Sequence, residues 1–102
     1  MTSTINADKL AGIERRQGWL AIMGSPQSRR VMWEQFEVMG IYQVAQSVEP
    51  CALAFNEGRR SLALQVMHEI LAHCPELYDR MIVENRARLR LEQAEEEESN
   101  HE

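Results

Sequence analysis

Three prolines limit what this chain can fold into. Pro26, Pro50 and Pro75 each stand at the start or boundary of an apolar helical pattern. Proline lacks the amide proton that a helix interior or a central strand needs, but its fixed φ suits the first turn of a helix. The chain is therefore punctuated as helices rather than strands. Asn6 is a candidate cap for a first helix over about Ala7–Met23, and Gly24-Ser25-Pro26 closes it and opens the next. The second helix runs from Pro26 to about Met39 and stops at Gly40, the third from about Cys51 to His73, and Pro75 opens the fourth. Ile41-Tyr42-Gln43-Val44 alternates like a strand, but a lone strand has no partner, so Ile41–Glu49 is expected to be an extended connection. Residues 1–5 form a loose start.

Periodicity assigns faces to these helices. On the first, Leu10, Ile13, Leu20 and Ala21 share one side, while Trp19, Ile22 and Met23 carry apolar surface around to the other. Met32, Phe36 and Met39 mark the buried side of the second, and Leu77, Met81 and Ile82 that of the fourth. Glu76 with Arg80 and Glu84 with Arg88 are i,i+4 pairs on the fourth helix. A chain of 102 residues makes one small domain with a modest core. The expectation is an all-α fold, a small bundle of about four helices over residues 1–91, followed by a disordered acidic C-terminal tail at 92–102.

The formal charge of −5 conceals an asymmetry. Six of the sixteen acids, Glu92, Glu95–Glu98 and Glu102, occupy the last eleven positions, so residues 1–91 carry ten acids against eleven bases. The body is near neutral, and the tail is either a solubilising end or an arm that competes with DNA or docks on a basic partner. Ten of the bases are arginine, with Lys9 the one lysine, which favours planar, bidentate contacts. No secretory leader pattern and no apolar run near ~20 residues is present, and two cysteines do not make a disulfide framework. An intracellular, soluble, reduced protein without a membrane segment is expected.

Two segments repeat the pattern Arg-Arg-x-x-Trp, Arg15-Arg16-Gln17-Gly18-Trp19 and Arg29-Arg30-Val31-Met32-Trp33. In a helix each first arginine lies over its tryptophan, a geometry for cation–π stacking and for nucleic-acid contact. The same pattern suits tryptophans in a core with arginine stems along their edges, and the near-neutral body lacks the charge of a nucleic-acid binder. The block Phe55-Asn56-Glu57-Gly58-Arg59-Arg60-Ser61 is the most specific. If one helix runs through Gly58, Asn56, Arg59 and Arg60 fall on the same broad arc as Leu62, Val66, Ile70 and Leu71. They would then aim at the core or at a partner, with Glu34, Glu37 or Asp79 as internal alternatives. A mid-helix glycine costs about 1 kcal/mol relative to alanine, so Gly58 suggests either a close approach by another backbone or a break.

His68, His73, Cys74 and Cys51 lack the spacing of a zinc finger or ribbon, and Glu69 with His73 is an ordinary helical pair. Neither a metal nor a cofactor is expected. Glu57 and Arg60 form an i,i+3 pair rather than an acid–base dyad, and no phosphate-cradling loop occurs. An enzyme is not expected. The candidate partner-binding residues are Asn56, Glu57, Arg59, Arg60, Arg29, Arg30 and Trp33.

Three motifs together resemble a known family. Ser25-Pro26-x-x-Arg29-Arg30-x-x-Trp33, Ala54-Phe55-Asn56-Glu57-Gly58-Arg59-Arg60-Ser61-x-x-Leu64 and Pro75-Glu76-Leu77-Tyr78-x-x-Met81 are similar to a family of small tailed-bacteriophage proteins typified by a member from a Bordetella short-tailed phage. The resemblance spans residues 25 to about 85, with a serine at Ser28 where relatives often carry glycine. It implies a gene beside those for portal and capsid, and hence a virion-associated or assembly protein in the virion or the host cytoplasm. The implied partners are portal or head–tail proteins or a second copy of the chain. The alternative is a small DNA-binding accessory factor in packaging or regulation, working through Arg15, Arg16, Arg29 and Arg30 with Trp19 and Trp33. The resemblance carries no catalytic residue.

Overall fold

A computed structural model describes residues 6–41 and 49–100. Among these residues there are four helices and no strand: α1 (Ala7–Ile22), α2 (Pro26–Val38), α3 (Pro50–His73) and α4 (Pro75–Asn100). The loose start expected at residues 1–5 and most of the extended connection, residues 42–48, lie outside the described residues.

The local chemistry that sets the boundaries is direct. Asn6 Oδ1 accepts from the Lys9 amide at 2.8 Å, and Ser25 Oγ accepts from the Ser28 amide at 3.1 Å; each satisfies an amide with no intrahelical acceptor. At α3 the cap is Glu49, whose carboxylate accepts from the amides of Cys51 at 3.0 Å and Ala52 at 2.6 Å. Those two bonds hold its pKa below the usual carboxylate range. A Cβ on Gly24 would stand 2.7 Å from the Leu20 carbonyl oxygen, so the turn between α1 and α2 demands glycine. Gly40 follows α2 with φ +71°, the left-handed backbone that ends many helices.

Cys74 alone separates α3 from α4, its amide donating to the Ile70 carbonyl at 2.7 Å. This elbow organises the molecule. The helix α1 packs on α3, α2 on α4, and α3 on α4. The buried core comprises Met23, Phe36, Ile41, Ala63, Ile70, Cys74 and Met81, with Trp19, Met32, Trp33, Met67 and Leu77 packed around it. Tyr78 crosses the elbow to donate its hydroxyl to Met67 Sδ at 3.3 Å. Burial raises the pKa of the Cys74 thiol, Glu76 adds to the rise, and Arg16 opposes both.

Away from the elbow the chain is thin. Its extents are 75 × 38 × 14 Å with a radius of gyration of 18.7 Å, against about 13 Å for a compact domain of this length. Residues 6–18 and 89–100 are exposed throughout. On α1, Leu10 and Ile13 therefore stay exposed, contrary to the face expected from periodicity, and the packed residues are Trp19, Leu20 and Met23. The reason is placement: the first half of α1 is met by no facing surface among the described residues. The acidic segment also differs from expectation. Residues 92–100 continue α4 as helix rather than fraying, since glutamate, glutamine and alanine are strong helix formers and nothing after Leu91 interrupts the run.

Candidate protein-interaction site

The candidate residues divide between two helices, with no hydrogen bond or ion pair joining the two groups among the described residues. On α2, Arg29 is buried, 3% exposed. Its Nε and Nη2 donate to the two carboxylate oxygens of Glu84, each at 2.8 Å, and Nη1 donates to the Met23 carbonyl at 2.8 Å. One side chain thus fastens α2 to α4 and to the end of α1. The hydrogen bonds from Arg29 lower the Glu84 pKa, against burial, and Glu84 in turn raises that of Arg29. Arg29 serves the fold, and its guanidinium is turned toward Glu84 rather than offered to a partner. Arg30 remains at the surface, paired with Glu34 at 3.2 Å. A cleft of about 270 Å³ beside them is lined by Pro26, Arg29, Arg30, Trp33, Glu84 and Arg88, among others.

On α3 the helix is continuous through Gly58. A Cβ there would meet nothing within 4 Å, so neither a break nor a close approach among the described residues accounts for this glycine. Asn56 and Arg60 are half-buried and continue the inner stripe Ala52, Asn56, Arg60, Ala63, Met67, Ile70 and Cys74, as the periodicity anticipates. Arg59 does not: it is exposed, donating to Asn56 Oδ1 at 3.1 Å, with its guanidinium 5.4 Å from the Phe55 ring centroid. The expected acceptors Glu34, Glu37 and Asp79 take no recorded bond from this block among the described residues. Arg60 Nε is buried and has no hydrogen-bond partner among them. Glu57 faces solvent.

The outer side of α3 carries a second apolar stripe. Phe55, Gly58, Arg59 and Leu62 follow one another at i, i+3, i+4 and i+7, the spacing of a helix-packing face. Phe55 is 67% and Leu62 57% exposed. A helix with apolar residues on several sides is ordinarily covered on several sides; Leu64 and Val66 join the inner stripe in packing on the core, yet no described residue covers Phe55 and Leu62.

Of the two readings of the Arg-Arg-x-x-Trp segments, the core one holds: Trp19 and Trp33 pack against the core, and Arg15 and Arg29 take carboxylate partners across the fold. Arg15 forms a bidentate pair with Glu69, joining α1 to α3, and Arg29 takes Glu84. Charge-assisted fork contacts to a carboxylate are stronger than stacking on a ring. Glu69 and Glu84 are the two structural residues that sequence reasoning missed. Their partners lie 54 and 55 positions away, and the local pattern had matched Glu84 with Arg88. Arg88 instead donates to Asn85 Oδ1 at 2.7 Å. No group of three or more His, Cys, Asp or Glu residues is placed to hold a metal among the described residues. No helix there is long and apolar enough to cross a membrane.

The family model for Bbp19-like phage proteins matches residues 19–83, well over half of the 102 residues. The chain belongs to this family. The match begins at Trp19, the first residue of α1 to pack on the core, and takes in α2, α3 and the first turns of α4. The candidate residues on α2 and α3 all fall inside it, and Glu84, the partner of Arg29, lies one residue beyond. No curated protein and no solved structure matches the chain.

Proposed function

We propose that this phage protein is a non-enzymatic virion-associated or morphogenesis factor that acts through protein–protein contacts, at the head–tail vertex or inside the particle. The observation that carries this reading is the uncovered outer face of α3, where Phe55 and Leu62 flank a glycine with open space above it. Large side chains beside a small one form a knob-and-notch surface that accepts a partner helix at close range. Membership of a phage family supports the setting, and the resemblance to proteins encoded beside portal and capsid genes supports the vertex.

The DNA-binding alternative loses ground on its own residues. Arg15 and Arg29, two of its four arginines, are committed to Glu69 and Glu84, and phosphate contact would require breaking those pairs.

The test is quantitative mass spectrometry of purified particles of the source phage, full and emptied of DNA. A fixed ratio to the portal in both kinds supports a vertex role, and presence in full particles alone supports an internal protein. Absence from both overturns the virion-associated reading and leaves an assembly factor or a DNA-binding factor. In the same phage Phe55→Asp is expected to reduce incorporation at least tenfold while the soluble chain keeps its helical content.

A further inference from the structure

The far half of α4 is a helix that none of the other described residues covers. All residues from Leu89 to Asn100 are exposed, and most of this arm lies beyond the family match at residue 83. At about 100° per residue, Val83, Ala87, Leu91 and Ala94 share one stripe, turned away from Met81 and Asn85, which face the body. Val83 is 62% and Leu91 67% exposed. The arm is also split by charge. Arg80, Arg86, Arg88 and Arg90 fall before residue 91, while Glu92 and Glu95–Glu98 follow it with no base among them.

We infer that this stripe is the contact between two copies of the chain, with the α4 arms crossing antiparallel near Leu91. Charge complementarity selects both the occupant and the direction. In an antiparallel pair the basic half of each arm lies along the acidic half of the other. Ala87 then meets Ala94, the two Leu91 side chains flank the twofold axis, and Arg86 lies within a turn of Glu95 and Glu97 of the partner copy. A parallel pair would stack arginine on arginine and glutamate on glutamate, which flanking charges in helical pairs act against. A second copy is the one partner certain to carry the matching pattern, and a twofold contact is self-complementary by construction. The arrangement also answers a local problem. Glutamates at a helix C-terminus oppose the helix dipole, and the partner's arginines would offset them. The seam is short and its alanines small, so the dimer forms in the micromolar range and weakens with salt. This contact uses a different surface from the α3 face, and its failure leaves the proposed virion role standing.

Sedimentation equilibrium of the full chain tests it. Dimer is expected at tens of micromolar, with the dissociation constant rising at least tenfold in Leu91→Asp and several-fold between low and high salt. A doubly reversed chain, Arg86→Glu with Arg90→Glu, and a triply reversed one, Glu95→Arg, Glu96→Arg and Glu97→Arg, should each be monomeric alone and pair when mixed. Direction is read in a Cys51→Ser background. Ala87→Cys and Ala94→Cys chains, mixed, should cross-link to each other faster than either does to itself. A wild-type monomer at several hundred micromolar, a dimer indifferent to all of these changes, or preferential like-to-like cross-linking at both alanines would overturn the inference. Circular dichroism of each variant separates a lost contact from a lost helix.

Discussion

The elbow and the arms of this molecule are built from similar residues and meet different fates. At the elbow, Phe36, Ile70 and Met81 are buried, and Arg29 and Glu84 close the joint between α2 and α4. On the arms, Phe55, Leu62 and Leu91, no less apolar, face solvent. What separates them is access to a facing surface. Helices converge only where the single-residue link at Cys74 and the Gly24 turn bring them together. Stability is therefore concentrated in one joint, and the surface left over is available for other molecules.

That contrast can be broken most forcefully at its core. Phe36→Ala is expected to cost about 3–5 kcal/mol, a large share of what a small domain holds, and to show as a lower midpoint in urea. Leu91→Ala on the arm should stay within about 0.5 kcal/mol in the monomer. If the two substitutions cost alike, the arm is packed in solution. Arg29→Ala comes next, at about 2–4 kcal/mol, because it strands the Met23 carbonyl and leaves Glu84 without its counter-ion. Arg30→Ala, one residue away and paired only at the surface, should be near neutral.

Acid sharpens the same comparison. The folded pKa of Glu84 is depressed by Arg29, so its contribution is full above the ordinary carboxylate range, near 4.3. It is lost as pH falls through the lower folded value. Urea midpoints of the wild type should therefore drop below about pH 4.5 more steeply than those of Glu84→Gln, whose starting stability is lower.

Gly58→Ala gives a smaller effect of the opposite sign. With nothing near its Cβ position, alanine should stabilise the isolated chain by about 0.5–1 kcal/mol. If α3 docks a partner closely there, the same change should impair incorporation into particles. Gain in both would remove the case for a close approach at Gly58. The mildest probe carries no stability cost. Cys51, exposed on α3, should react with a thiol reagent at once, and Cys74, buried at the elbow with a raised pKa, only on unfolding.

The four helices were legible because proline, glycine and capping side chains act over a few residues. Ser25 and Asn6 cap where their chemistry says they should, and the Met32, Phe36 and Met39 face packs as its period implies. The direction of two candidate residues was legible too: Asn56 and Arg60 turn inward. The exposure of Arg59 was not, since the arc between inner and outer face is only one residue's rotation wide. Nor was the straight run of helix through the glutamates, where composition suited both a frayed end and a helix.

The sequence by itself determined the elements, their boundaries and the family, all of which rest on local geometry and on motifs. Only the tertiary structure decided which arginines are bound. Arg15 and Arg29 look alike in sequence to Arg16 and Arg30, and they part company because Glu69 and Glu84, more than fifty residues away, arrive beside them when α1 meets α3 and α2 meets α4. Local pattern carries no information about such encounters, because the energy of a charge pair depends on distance in space and on the water excluded around it.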